Sequence, residues 1–352
     1  MTAEDQLIGR IRAAVRSGGK PLGSATLRLG MGDDAAVIAC TRRAEWVLSC
    51  DSFLEGVHLL TDLHAADSIG YKALARATSD IAAMGATPRF FLLTLALPAE
   101  RTGRWLDQFL SGLHRAARQF GMALIGGDTT RSRAIFVSVT VVGEVSRGQA
   151  VARSGARPGD RIYVSGTLGA AQLGLLLLKY RSARRQPHRN QIQGASRSAK
   201  LRFSALQAHL YPYIRIELGG FLARHRLASA MIDISDGLST DLSRLCAASR
   251  VGASIWADHI PCVRFPTSRR GHEAPALGRP KLDPLKLALN GGEDYELLFT
   301  VSPRNQKRLR QAPGFAALRE IGEIVRGRHI ALLRNGREEP LVPGGWDPFR
   351  GK

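Results

Sequence analysis

MIDISDGLSTDL, residues 231–242, runs an apolar stretch straight into two aspartates, Asp233 and Asp236, with Ser235 between them and Gly237 behind. The apolar part reads as a strand and the part after Gly237 as an amphipathic helix, so the acids sit at a strand-to-helix turn. Capping explains one such turn, because an aspartate there accepts hydrogen bonds from the free N–H groups that open a helix. It does not explain the recurrence of the pattern in GMGDDAAVI (30–38), LSCDSFLEGVHL (48–59), ATSDIAAMGA (77–86), LIGGDTTRS (124–132) and NGGEDYELLF (290–299).

Outward from that turn, strands and helices alternate in both halves of the chain. In the first half EWVLSCDSF from Glu45 reads as a strand, DSIGYKALARATSDIAAMG from Asp67 as a long helix stopped by Gly85, and FFLLTLAL from Phe90 as a buried strand. A helix from Thr102, TGRWLDQFLSGLHRAARQF, and the strands MALIGG and AIFVSVTVVGEV follow. Residues 146–160, SRGQAVARSGARPGD, read as a crossing, which predicts domains 1–148 and 149–352 with the boundary near Gly148. In the second half RIYVSGTLGAAQLGLLLL is a strand, turn and helix without the G-x-G-x-x-G spacing of a dinucleotide site. Then come a helix through RIELGGFLARHR, the strand and helix of 231–242, VGASIWADHI, a short helix DPLKLALN, the strand DYELLFTV, and strands around REIGEIV and IALLRNG. The fold class is α/β or α+β, with no solenoid repeat.

At 352 residues, with 44% hydrophobic and 23% charged side chains, the chain has a soluble globular composition and enough length for two cores. The N-terminal stretch carries Leu7, Ile8, Ile11 and Val15 at helical spacing, not a signal-peptide core. The longest apolar run, FFLLTLALPA, falls well short of the ~20 residues of a membrane span. A cytoplasmic location without membrane contact is expected. Cys40, Cys50, Cys246 and Cys262 form no C-x-x-C pair, so reduced thiols are expected. The net charge of +20 fits either a nucleic-acid surface or an enzyme of polyanionic substrates. Part of the excess lies in 179–202, where Lys and Arg meet no acid. No aromatic platform interrupts those arginines, so a solvated loop is the better reading and nucleic acid the weaker one.

Asp33, Asp34, Asp51, Asp80, Asp128, Asp233 and Asp236 fall at element ends or on a small-residue helix face, from which side chains can converge at one rim. Crowded carboxylates repel one another unless a cation lies between them, and oxygen ligands without a soft partner suit Mg2+. Several such ions would hold a polyphosphate, with Gly32, Gly126 and Gly127 leaving room near backbone N–H donors. No Walker A loop and no kinase-type H-R-D or D-F-G set competes, so any phosphoryl transfer here would be run by metals. Taken singly, each G-D-D or G-G-D is also an ordinary turn.

The blocks GDDAAVI, CDSFLEGVHL, YKALARATSDIAAMGATP, LIGGDTTRS, ARSGARPGD, IDISDGLSTDL, GGEDYELLF and the final GGWDPF cover nearly the whole chain in order. With them the sequence resembles the thiamine-monophosphate kinases of the aminoimidazole ribonucleotide synthetase (PurM-like) superfamily. The resemblance implies a two-domain PurM-like fold, with an N-terminal sheet-plus-helix domain that dimerises and a C-terminal α/β domain carrying a basic insertion at 181–200. It also implies a homodimer, ATP as co-substrate in the cleft between domains, and direct transfer of the γ-phosphoryl group to the phosphate of thiamine monophosphate. The product would be thiamine diphosphate. Residue by residue it implies several Mg2+ ions at Asp34, Ser49, Cys50, Asp51, Asp80, Asp128, Asp233 and Asp236. Nucleotide contacts would be Gly127, Asp128, Arg153 and Ser235; thiamine contacts would be His58, Glu293 and Trp346. Asp51, Asp80, Asp128 and Arg153 would form the catalytic group. Each substrate residue also has a structural reading: His58 as a core histidine, Trp346 as a C-terminal tether, Glu293 as a partner of Asn290 or Lys286.

Cys50 stands where the family has threonine, and a thiol is a poor Mg2+ ligand, so either its backbone carbonyl serves or one metal is weakened. Two alternatives remain. One is a different PurM-like ATP-dependent enzyme, against which EGVH and GGEDYEL occurring together speak. The other is a basic RNA-binding protein on the same fold, against which the retained, mutually repelling acids speak.

Overall fold

In the computed structural model the described residues are 27–29, 33–39, 43–183, 197–264, 282–312 and 314–349. The expected N-terminal helix, Gly32, Cys40 and residues 184–196 of the basic segment lie outside them. Two sheets carry the chain. The first contains β1 (Leu27–Leu29), β2 (Ala36–Ala39), β3 (Ala44–Leu54), β4 (Thr87–Leu97), β5 (Ala123–Arg131) and β6 (Phe136–Ser146) in the order β1-β2-β3-β6-β4-β5. Among the described residues its one parallel strand pair is β4 with β5. The second contains β7 (Arg161–Val164), β8 (Ala228–Ile234), β9 (Gly252–Trp256), β10 (Glu296–Val301), β11 (Arg319–Val325), β12 (Ile330–Arg334) and β13 (Arg337–Pro340), in the order β13-β12-β9-β11-β7-β10-β8. There β12 and β9 run parallel.

Strand alternation decides which face of the first sheet is covered. In β6, Val137, Val139, Val141 and Val145 are buried, while Ser138, Thr140 and Glu144 between them stay partly open. The buried face receives α1 (Ala66–Ala83), whose run of alanines both favours the helix and lets neighbours come close on nearly every side. α2 (Arg104–Phe120) lays Phe109, Leu113, Ala116 and Phe120 against it, an apolar stripe at helical spacing. At their crossing a Cβ on Gly112 would stand 1.8 Å from the Asp67 carbonyl oxygen, so the two backbones meet at a distance only glycine permits.

On its other side α1 meets α5 (Ile216–Arg224) from the second half, and the core around α1 takes in Ile214 and Tyr295 as well. This helix therefore belongs to both halves, which is what brings residues of both to one place. The second sheet is flanked by α3 (Ala170–Ala183), α4 (Arg197–Leu210), α6 (Leu238–Ser249) and α7 (Pro284–Asn290). Helix α4 corrects the expectation of a loop through Arg202: it starts at Arg197 and buries Ala205 and His209 at four-residue spacing against neighbouring elements. β5 also runs beyond the expected MALIGG, to Arg131. Among the described residues no helix is long and apolar enough to cross a membrane.

Candidate active site

Lys72, Arg76 and Asp80 recur every four residues on α1 and so share one face, with Ser79 beside them. Each meets a partner from another segment. Lys72 Nζ lies 2.8 Å from Glu293. Arg76 forks onto Asp51 of β3 at 2.9 and 3.2 Å. Asp80 accepts the Ser49 hydroxyl, also from β3. Ser79 donates to Asp233 of β8 at 2.6 Å. The alternation that turns Ser49 and Asp51 toward α1 turns Cys50 the other way. Its thiol lies 3.4 Å from the hydroxyls of both Ser138 and Thr140, on the face away from Ser49 and Asp51.

Asp34, Asp80 and Asp233 come from three separate segments and bring carboxylate oxygens within 4.8 Å of one another. Arg153 donates Nε to Asp34 at 2.8 Å, with a terminal nitrogen on the same oxygen. Its backbone N–H meets both Asp33 oxygens at 3.2 and 3.1 Å. The other Asp34 oxygen, Oδ2, is buried without a hydrogen-bond partner among the described residues. Burial raises the pKa of Asp80, and the charge of Asp233 adds to it; burial raises Asp233, and Asp34 adds to it. For Asp34 burial outweighs the opposing pull of Arg153. Burial, then Asp34, pushes Asp33 up to about 6. Three carboxylates this close ionise together only with a cation among them, and an all-oxygen set with one orphaned buried oxygen fits a hard divalent ion such as Mg2+.

The remaining acids sit around this cluster. Asp236 is held by Arg244, which also reaches Asp241 at 3.1 Å. Asp241, not Asp236, satisfies the turn: it accepts the N–H groups of Asp236 and Gly237, each at 3.0 Å. Asp128 is exposed on the edge strand β5, in register with Thr94 and outside the three-acid group. Before it, Gly127 has φ +152°, and a Cβ there would stand 1.9 Å from the Leu93 carbonyl oxygen, so glycine is what lets β5 close onto β4.

The expected substrate residues gather nearby. His58 Nδ1 accepts the Leu54 N–H at 3.2 Å. Burial, reinforced by the Arg76 charge, lowers its pKa to about 4, so the ring is neutral at neutral pH. Glu293 sits at φ +69°, its N–H donating to the Ser235 carbonyl at 2.7 Å. Burial works to raise its pKa, but Lys72 and then His209 hold it well below the usual carboxylate range. The Trp346 N–H donates to the Asp236 carbonyl at 3.0 Å, which brings the C-terminal segment to the 231–242 turn with the indole half-exposed. Sequence reasoning missed Lys72, Arg76, Ser79, His64 and His209. Polar residues at four-residue intervals in an otherwise small-residue helix were the available signal for Lys72 and Arg76; the two histidines, 145 residues apart, offered none.

Two consecutive domain matches define the class: residues 32–145 match the AIR synthase related protein, N-terminal domain, and 157–334 its C-terminal domain. The chain is 37% identical over 328 residues to the thiamine-monophosphate kinase of Escherichia coli (strain K12), 92% of each protein. It resembles the crystal structure of thiamine-monophosphate kinase from Stenotrophomonas maltophilia K279a at TM-score 0.68 and 34% identity, covering 96% of this chain and 98% of that one. It also resembles AaThiL complexed with AMPPCP and TMP at TM-score 0.77 and 30% identity, covering 98% and 97%. The chain belongs to the AIR synthase related family and, within it, to the thiamine-monophosphate kinases.

Proposed function

We propose that the protein transfers the γ-phosphoryl group of ATP directly to the phosphate of thiamine monophosphate, giving thiamine diphosphate, with Mg2+ held by Asp34, Asp80 and Asp233. The observation that carries this is the three-acid cluster, assembled from separate segments with an orphaned buried oxygen, in a chain alike over 92% of its length to a thiamine-monophosphate kinase. That the similar AaThiL takes AMPPCP and TMP supports the choice of both substrates. Mg2+ bound there would neutralise charge between two polyanions that otherwise repel.

The chain's own residues do the rest. Ser49 and Ser79 fix the orientation of Asp80 and Asp233 by donating to them. Arg153, already drawn to Asp34, puts a permanent cation where the charge of the moving phosphoryl group spreads. The acceptor phosphate is itself the nucleophile, so positioning and charge suffice. Asp51, Asp128, Asp236 and the Cys50 backbone serve as further metal positions, and Gly127, Asp128 and Ser235 as nucleotide contacts. On the acceptor side, ionised Glu293 complements the thiazolium cation, neutral His58 offers hydrogen bonds without adding like charge, and the Trp346 indole adds cation–π attraction of ~0.5–2 kcal/mol. The enzyme works in the cytoplasm as a homodimer, through the open face of the first sheet. Trp46, Phe90 and Leu92 of β3 and β4 are 45%, 40% and 38% exposed, the apolar surface a second copy would cover.

Purified protein incubated with ATP, Mg2+ and thiamine monophosphate, with free thiamine as control, tests the reading by chromatography of the products. Thiamine diphosphate from the monophosphate alone is expected. Absence of product despite ATP binding, or equal use of free thiamine, overturns it.

A further inference from the structure

Behind Glu293 lies a line of buried groups that the reaction above does not use. Glu293 Oε2 takes Lys72 Nζ at 2.8 Å and His209 Nδ1 at 3.2 Å. His209 Nε2 lies 2.9 Å from His64 Nε2, and His64 Nδ1 lies 3.0 Å from the Leu60 N–H nitrogen. Lys72, His209 and His64 are all buried. Of two Nε2 atoms in contact, one must carry the hydrogen and the other must not. Against a carboxylate, His209 Nδ1 is the donor, which leaves its Nε2 a bare acceptor on a neutral ring. His64 then donates from Nε2, and its Nδ1 accepts the Leu60 N–H. This assignment satisfies every nitrogen with both rings neutral. The reverse, in which Lys72 Nζ donates to His209 Nδ1 at 3.4 Å and His64 Nδ1 donates to the Leu60 carbonyl at 3.0 Å, also fills both rings. It sets a bare His209 Nδ1 3.2 Å from the Glu293 carboxylate and takes the acceptor from the Leu60 N–H, so the first is preferred. Burial agrees, lowering both imidazole pKa values, that of His64 to about 4.

The line crosses the molecule. His64 and Lys72 belong to the first half, His209 of α4 and Glu293 to the second. His64 also closes the 55–64 segment that carries His58. At its other end Glu293 holds φ +69°, a conformation unfavourable for a residue with a side chain and kept only when its surroundings over-determine it.

We propose that His209, backed by His64 and Lys72, is a positioning residue of the acceptor site. It occupies Oε2 of Glu293, fixes that carboxylate in one rotamer with Oε1 left for the acceptor, and ties the His58 segment to the second half. The two acceptor contacts thereby keep a fixed separation. The inference rests on the reading that Glu293 meets the cationic ring of thiamine monophosphate.

Steady-state kinetics of full-length His209→Leu and His209→Asn, varying each substrate separately, test it. His209→Leu raises KM for thiamine monophosphate on the order of tenfold, the scale of a lost hydrogen bond to a charged group, and leaves KM for ATP and kcat within about threefold. His209→Asn, whose amide replaces the Nδ1 donor, recovers most of that loss. His64→Leu has a smaller effect in the same direction and adds little to His209→Leu, because both cut one line. Equal damage by Leu and Asn, or an equal rise in both KM values, overturns the role. Nitrogen NMR of the unmodified protein gives a readout independent of turnover and of any variant's folding. His209 protonated at Nδ1 and His64 at Nε2 are expected at neutral pH, and an imidazolium or the reversed tautomers overturn the line. Wild-type protein that binds ATP but does not convert thiamine monophosphate overturns the substrate reading instead, and the tautomers still decide the line.

Discussion

Arg76 and Asp51 make a two-point contact at 2.9 and 3.2 Å that fastens helix α1 to strand β3 beside the acid cluster. The guanidinium also lies 5.0 Å from the centre of the Phe53 ring, and its third nitrogen is buried without a hydrogen-bond partner among the described residues. Lysine cannot fork onto a carboxylate or stack in this way. Arg76→Lys is therefore expected to cost about 1–3 kcal/mol of stability in urea unfolding and to lower kcat. Unchanged stability and rate would show that the contact only decorates the rim.

Glu293 is held ionised by Lys72 and His209 against the effect of burial. Its folded-state pKa is depressed, so the unfolded chain takes up the proton first as pH falls. The stability it contributes is whole above the ordinary carboxylate range and is lost as pH drops through the folded value. At neutral pH, Glu293→Gln leaves Lys72 buried without its counter-charge and should cost about 3 kcal/mol. The gap between wild type and variant should narrow on acidification to about pH 3, measured by urea unfolding. A gap that stays constant or widens in acid contradicts the ion pair.

Crowding at the three-acid cluster opposes folding when no cation is bound. Replacing one carboxylate by its neutral isostere removes like-charge repulsion as well as a ligand. Asp80→Asn should raise the melting temperature of metal-free protein by about 2–4 °C, the scale of 1 kcal/mol in a chain of this kind. The same change should abolish Mg2+-dependent turnover and most of the stabilisation that added Mg2+ gives the wild type. Calorimetry with and without Mg2+ checks both halves; a variant that melts earlier without metal, yet still responds to it, refutes the assignment.

Cys50 faces away from Ser49 and Asp51, toward Ser138 and Thr140. Cys50→Thr should leave the Mg2+ concentration for half-maximal activity within about twofold, since a backbone carbonyl survives the substitution. A larger loss of activity would place the thiol in the chemistry after all. Cys246 and Cys262 are distinct from it: burial pushes their thiols up to about 12 and about 11, so both should alkylate slowly in mildly alkaline buffer in the native protein.

The open face of the first sheet should be a contact between copies. Leu92→Asp puts a charge in the middle of that apolar surface and should shift the mass seen by light scattering from dimer to monomer. A wild-type protein that runs as a monomer at micromolar concentration would remove this face from consideration.

Whatever depends on neighbouring residues can be read without coordinates. The spacing predicts helix α1 from Asp67 to a stop at Gly85, and it spans Ala66–Ala83, because alanine content, periodicity and a terminal glycine are all local. That the acids follow apolar runs is legible for the same reason, and the period of two along β3 carries the opposite facing of Cys50 as well. Helix α4 is not legible, because the charged residues of its first turn mask the apolar spacing of Ala205 and His209. Nor is the selection of Asp34, Asp80 and Asp233 from among the motif aspartates, or the pairing of Lys72 with Glu293 across more than half of the chain. Those depend on the register of β3 against β6 and on α1 packing between the two halves. The physical reason is one of range: a side chain's charge and spacing say what it can bind, while only strand register and helix packing bring partners from distant segments within a hydrogen bond's length.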